Sequence, residues 1–235
     1  MDMFGDDWSN IPGYLENAFE TGHCNPVNWM EAVAAPYGWA AAIVELTNEQ
    51  LQCDPISSQN YMQAATALVW TGRPEEAQAM IEELVSRVGY EQWTDDIQFM
   101  LAQATGDWKT RTDMFGPTPQ DSNYEIPRAI FGYAVAGRAE EARAEFEAFA
   151  ANNPVDDFGR ILAAAAVGDR EMANAAAARV DQRVGGNLVL SMVVEQCFCG
   201  APFDLSATPN FGARLNEASL PWPPHSPITF PAKGW

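Results

Sequence analysis

Positive charge is what this chain has least of. Only Lys109 and Lys233 are lysines, and 13 basic residues stand against 32 acidic ones, for a formal charge of −19. That balance repels phosphate backbones and anionic lipid headgroups, which argues against nucleic-acid binding and peripheral membrane attachment. Histidine is as scarce, with His23 and His225 the only two. Little is left for general-base chemistry near neutral pH or for a zinc site. There is no Gly-rich phosphate loop, no metalloprotease His pair and no G-x-S-x-G elbow in the sequence. Adjacent acids such as Asp95 and Asp96 are of the type a hydrolase uses, but at a helix start they serve as dipole partners. The expectation is a non-enzyme with no metal and no cofactor. Long apolar runs are also missing. LVLSMVV is far too short to span a bilayer, so no membrane insertion of this segment is expected. The opening MDMFGDDWSN lacks the basic start and apolar run of a signal peptide.

What the chain does have is recurrence. GRPEEAQAMIEELV at Gly72 is written again, little changed, as GRAEEARAEFEAFA at Gly137. Gly38, Gly72, Gly106, Gly137 and Gly168 lie 34, 34, 31 and 31 residues apart. An apolar segment of helical period precedes each glycine, and an amphipathic segment opening on acids follows it. Each unit therefore reads as helix, tight turn, helix. Glu75, Glu76, Glu140, Glu141, Asp169 and Glu171 fall in the first turn of the second helix, where the macrodipole favours negative charge. Ala77, Ala142 and Ala173 stand five residues after their glycines, small enough for a close helix crossing. Ile81, Phe115, Phe146 and Ala177 follow one turn later on the same face. Pro55 and Pro154 close their helices.

This unit resembles the tetratricopeptide repeat, through Tyr133, Gly137, Ala142, Phe146, Phe149 and Pro154 in the fourth copy and Tyr61, Ala65, Leu68, Gly72, Ala77 and Leu84 in the second. The pattern departs at Arg111, where the third copy lacks the small residue, and in the alanine-rich fifth copy. The resemblance implies an all-α fold: a right-handed solenoid of about five antiparallel helix-turn-helix repeats with a Pro- and aromatic-rich C-terminal extension. Expected boundaries are an N-terminal helical cap at 1–23, repeats at 24–185, and a capping helix with Pro-rich tail at 186–235, folding as one unit. The tail, through CGAPFDLSATPNF and LPWPP, resembles those of bacterial helical-repeat domains fused to winged-helix regulators or nucleotide cyclases.

The four cysteines bear on compartment. Antiparallel pairing within the first hairpin brings Cys24 near Cys53, so a bridge there is geometrically reasonable and would mark a periplasmic or otherwise exported protein. Two buried thiols in a reducing cytoplasm are the alternative. If their segment is helical, Cys197 and Cys199 point to nearly opposite sides and can neither bridge nor share a metal, whereas in an irregular turn they can do either; buried thiols or a structural disulfide are preferred to a metal site. From Ala201 onward seven prolines and five aromatics crowd 35 residues. A short helix is expected from about Pro209 to Ala218 with Thr208 as its cap. Phe203, Phe211, Leu215, Leu220 and Trp222 are expected to cover the final hairpin. The alternative is that LPWPPHSP is a recognition peptide for another domain.

In the tetratricopeptide family, first-helix positions thirteen, ten, six and three before the turn glycine line a concave groove. The resemblance assigns that role here to Gln59, Met62, Thr66 and Val69, to Trp93, Asp96, Met100 and Gln103, to Tyr124, Phe131 and Ala134, and to Phe158 and Leu162. Asn25, Asn28 and Val155 complete the set. Such a groove is aromatic and apolar and holds no basic residue to clamp a terminal carboxylate. The expected role is a non-catalytic interaction or scaffold module for an apolar or amphipathic peptide or a neighbouring domain. A small-molecule sensor with an enclosed apolar pocket is the alternative.

Overall fold

The computed structural model describes residues 8–20, 30–89, 101, 130, 133–134, 137–152, 157–197 and 201–224. Among them are ten α-helices and no strand. The chain divides into two compact units, one of Met1–Thr105 with Leu215–Thr229, the other of Gly106–Arg214 with Phe230–Trp235.

In the first unit α1 (Ile11–Glu20) and the short α2 (Met30–Ala34) precede α3 (Ala40–Cys53), α4 (Ser58–Trp70) and α5 (Pro74–Arg87). α4 packs between α3 and α5, and α2 packs on α3 and α4. Helix α4 starts on an N-cap: Ser57 Oγ accepts the Asn60 backbone N–H at 3.3 Å. Helix α3 ends at Cys53, two residues before Pro55. In the second unit α6 (Ala139–Asn152), α7 (Asp157–Val167), α8 (Arg170–Asp181) and α9 (Gly186–Cys197) lead to α10 (Pro209–Glu217), whose last residues the division assigns to the first unit. Here α7 packs on α6, α8 and α9, and α8 also packs on α9.

The repeated glycines have one geometry. Gly38, Gly72, Gly137 and Gly168 all have positive φ, between 72° and 105°. At Gly72 the glycine N–H donates to Val69 O (3.0 Å) and the next N–H, of Arg73, donates to Leu68 O (2.9 Å). The same pair of bonds recurs as Gly137 to Ala134 with Arg138 to Tyr133, as Gly168 to Ala165 with Asp169 to Ala164, and as Gly38 to Ala35 with Trp39 to Ala34. This is the Schellman motif, in which a residue in the left-handed region ends a helix and satisfies its last carbonyls. A side chain at that φ clashes with its own backbone, so the lattice is written in glycine. Gly106 lies outside the described residues.

The shared letters after the glycine also have causes. Arg73 grips Glu76 with Nε and Nη2, both at 2.6 Å, and Arg138 grips Glu141 in the same two-pronged way. Each pair clasps a residue at the helix entrance to one in its first turn. In the fifth copy Asp169 replaces the arginine and caps directly, accepting the Met172 N–H at 3.0 Å. Ala77, Ala142 and Ala173 are wholly buried, as a close crossing requires. Phe146 and Phe149 join Ile130, Tyr133, Ala163 and Ala164 in the core of the second unit.

The tail differs from expectation at one joint. α10 does begin at Pro209, and Thr208 O accepts the first helical bond, but the Thr208 hydroxyl donates to Leu205 O instead of capping. The cap is Asp181, at the end of α8. Its Oδ2 accepts the Asn210 N–H at 3.0 Å and its Oδ1 the Phe211 N–H at 2.8 Å. A threonine hydroxyl offers one weak acceptor, whereas a carboxylate serves both orphaned N–H groups through charge-assisted bonds. Phe203 and Phe211 are wholly buried and meet edge to face, with ring centroids 5.9 Å apart. Leu215 is buried as well, while Leu220 and Trp222 are half-buried.

Candidate peptide-binding face

Three first helices carry groove positions within the described residues, and the positions are not equally open. On α4, Gln59 and Met62 are half-buried, while Thr66 (4 % exposed) and Val69 are buried. On α7, Phe158 is half-buried and Leu162 (6 % exposed) is buried. Ala134 is half-buried. Met62 and Phe158 occupy the same place in their repeats, ten residues before the glycine, and both are apolar and partly accessible. Thr66 and Leu162, one turn further on, are both buried. Trp93, Asp96, Met100, Gln103, Tyr124 and Phe131 lie outside the described residues, as do Asn25, Asn28 and Val155. Of the expected aromatic row, Phe158 is the member that can be placed.

The first helices also bury polar side chains. Gln63, next to Met62 on α4, is 2 % exposed, and its Nε2 makes no hydrogen bond among the described residues. Tyr61 is buried on the same helix, and its hydroxyl approaches Pro55 O at 3.5 Å. Burial, and then the nearby Glu83 carboxylate, push its phenol above the ordinary value, so it stays protonated. In the second unit Tyr133 is raised chiefly by burial, against the opposing pull of Arg138, whose guanidinium lies 4.4 Å from the ring centroid.

Charged groups in the second unit are paired into fasteners. Asp157, at the first turn of α7 and 3 % exposed, accepts from Arg179 Nε (2.9 Å) and Nη2 (2.7 Å) and from Arg183 Nη2. These contacts tie the start of α7 to the end of α8 and the turn after it. Asp204 Oδ1 accepts from Arg170 Nε (3.0 Å) and Nη2 (2.5 Å), its Oδ2 from Asn174 Nδ2 (2.6 Å), and its backbone N–H donates to Asn174 Oδ1 (2.7 Å). Arg170 and then Asn174 hold the Asp204 carboxyl below its ordinary range.

Cys53 and Cys197 are each disulfide-bonded, and no described cysteine is free. Cys24 and Cys199 lie outside the described residues. Among the described residues no three His, Cys, Asp or Glu side chains converge as a metal site, and no helix is long and apolar enough to cross a membrane. No protein-family model, curated protein or solved structure matches the chain.

Proposed function

We propose that the chain is a tetratricopeptide-like repeat module that works by binding rather than catalysis. Its hairpins stack into a right-handed solenoid whose first-helix faces take an apolar or amphipathic peptide or a neighbouring domain, as the repeat portion of a larger bacterial regulator would. The observation that supports this reading most directly is the paired exposure of Met62 and Phe158. Folding alone calls for no apolar residue at a partly open position, and here two repeats place one at the same step of the pattern. A peptide's apolar anchors fill such sites. The oxidised state of Cys53 and Cys197 supports maturation in an oxidising compartment, periplasmic or otherwise exported, with Cys24 the proposed partner of Cys53.

The test is selection of ligands from a random dodecapeptide library, followed by binding to variants. Met62→Glu and Phe158→Glu should each weaken the selected peptides at least tenfold, because a carboxylate is placed against an apolar anchor. Glu82→Ala, on the exposed face of α5, should leave them unchanged. Peptides that ignore both first-helix substitutions, with helical circular dichroism retained, would refute the assignment of this face.

A further inference from the structure

The segment 201–214 is held on α8 by a row of polar contacts. Arg170, Asn174, Ala177 and Asp181 form a single stripe along that helix, at spacings of four, three and four residues. At one end of the stripe, Arg170 and Asn174 receive Asp204, and Arg170 Nη1 also donates to Ala201 O at 3.0 Å. At the other end, Asp181 caps the helix that begins at Pro209, and Asn210 Nδ2 returns a bond to Asp181 O at 2.9 Å. Between them Ala177 is wholly buried, and the 3-10 turn Leu205–Ala207 packs on α8. The segment also has its own small core. Phe203 meets Phe211, and a Cβ on Gly212 would come within 3.3 Å of the Leu205 side chain.

Two wholly buried phenylalanines that meet each other, charge-assisted clasps to α8 at both ends and a short contiguous stretch of chain are the anatomy of a recognised peptide. The recognition is specific in kind. It needs Phe-Asp, then a helix start six residues on whose first N–H groups point at a carboxylate, with a second Phe there. We propose that the α8 stripe is a peptide-docking site, separate from the first-helix face, which residues 201–214 occupy in cis and which a second segment of the same pattern can occupy in trans. Such a tether holds its ligand at an effective concentration on the order of millimolar, so the resident segment excludes a free peptide until its own grip is loosened.

The experiment uses the full chain carrying Asp204→Ala, which removes one clasp and leaves both phenylalanines in place, and a fluorescent peptide of residues 201–214. The expected result is saturable binding at least tenfold tighter than to the wild-type chain, lost when Arg170→Ala is added and lost for a peptide with both phenylalanines replaced by alanine. Binding that is absent, or equal for a scrambled peptide, overturns the proposal. Native-state hydrogen exchange of the wild-type chain supplies a second reading that needs no variant. A docked segment opens alone, so the Asn210 and Phe211 amides should exchange at least tenfold faster than the central amides of α7 and α8. Exchange of all of them together would mean that 201–214 is core, and would overturn it as well.

Discussion

Replacing Asp181 by asparagine separates this cap from an ordinary one. At a typical helix N-cap, Asn and Asp rank together, because one oxygen accepting one N–H is enough. Here both carboxylate oxygens are engaged, Oδ2 with the Asn210 N–H and Oδ1 with that of Phe211. An amide keeps one acceptor and turns its NH2 on the remaining N–H. Asp181 is 3 % exposed, so water does not take over the orphaned donor. A hydrogen bond to a charged group contributes about 1.5–3 kcal/mol, which sets the cost of Asp181→Asn at about 2 kcal/mol. Asp181→Ala, which loses both acceptors, should cost about 3 kcal/mol. The direct assay is hydrogen exchange at the Phe211 amide, since 2 kcal/mol of local stability corresponds to roughly thirtyfold faster opening. A urea titration followed by circular dichroism gives the global value. Asparagine indistinguishable from wild type in both measurements would refute the two-oxygen argument, and alanine no worse than asparagine would show that the second bond contributes nothing.

Gly186→Ala should destabilise the second unit by about 1–3 kcal/mol or more, because the new Cβ would lie 2.1 Å from the Val180 carbonyl oxygen and backbone must move; an unchanged urea midpoint would contradict this. Ser219→Gly should stabilise by roughly 1 kcal/mol, since Ser219 at φ 56° closes a Schellman motif, with N–H bonds from Ser219 to Asn216 O and from Leu220 to Leu215 O, in a conformation that suits glycine; a lower melting temperature would argue against it. The Asp204 carboxyl is held below its ordinary 3.8 by Arg170 and Asn174, so the stability it adds is complete above about that pH and is lost as pH falls through the lower folded-state value. The gap in melting temperature between wild type and Arg170→Ala should therefore be constant from pH 7 to 5 and narrow on acidification below 4 to what the Arg170 bond to Ala201 O leaves; a gap undiminished at pH 2 would mean the ion pair is not its source. Thiol counting under denaturing, non-reducing conditions should find no free cysteine, and reduction should lower the melting temperature by several degrees. Four free thiols would remove both bridges.

The hairpin plan was legible because its signals are local. A left-handed turn calls for glycine within one residue, a close crossing calls for alanine at a fixed offset, and proline stops α3 from the sequence itself. What escaped sequence reasoning is non-local. Thr208 has the right chemistry in the right place for a cap, yet Asp181, which is 29 residues before Asn210, outcompetes it because folding brings a carboxylate there. Nothing near Asp157 announces Arg179 and Arg183. The exposure of the expected groove positions was half legible for a related reason. Periodicity puts Met62 and Thr66 on one side of α4, but whether each is covered depends on what packs beside the helix, and that differs between them. Arg73 with Glu76 and Arg138 with Glu141 had a readable spacing, but a base three residues before an acid occurs on many helices without forming a clasp.

Those clasps also bear on the chain's choice of cation. Two of its thirteen basic residues are lysines, and the rest are arginines. Arg73, Arg138, Arg170 and Arg179 each reach a carboxylate through two of their nitrogens, and Arg170 reaches a carbonyl with a third. A lysine ammonium, a compact charge on a flexible stem, cannot present that planar fork. These four arginines are thus engaged by acceptors of the same chain, even though Arg73, Arg138 and Arg179 remain nearly half exposed. An arginine changed to a neutral residue is felt twice, as a lost internal fastener and as one more uncompensated negative charge on a molecule already repelling itself. A lysine at any of these positions is expected to lose one prong of the clasp, even though a surface count would class most of them as freely replaceable.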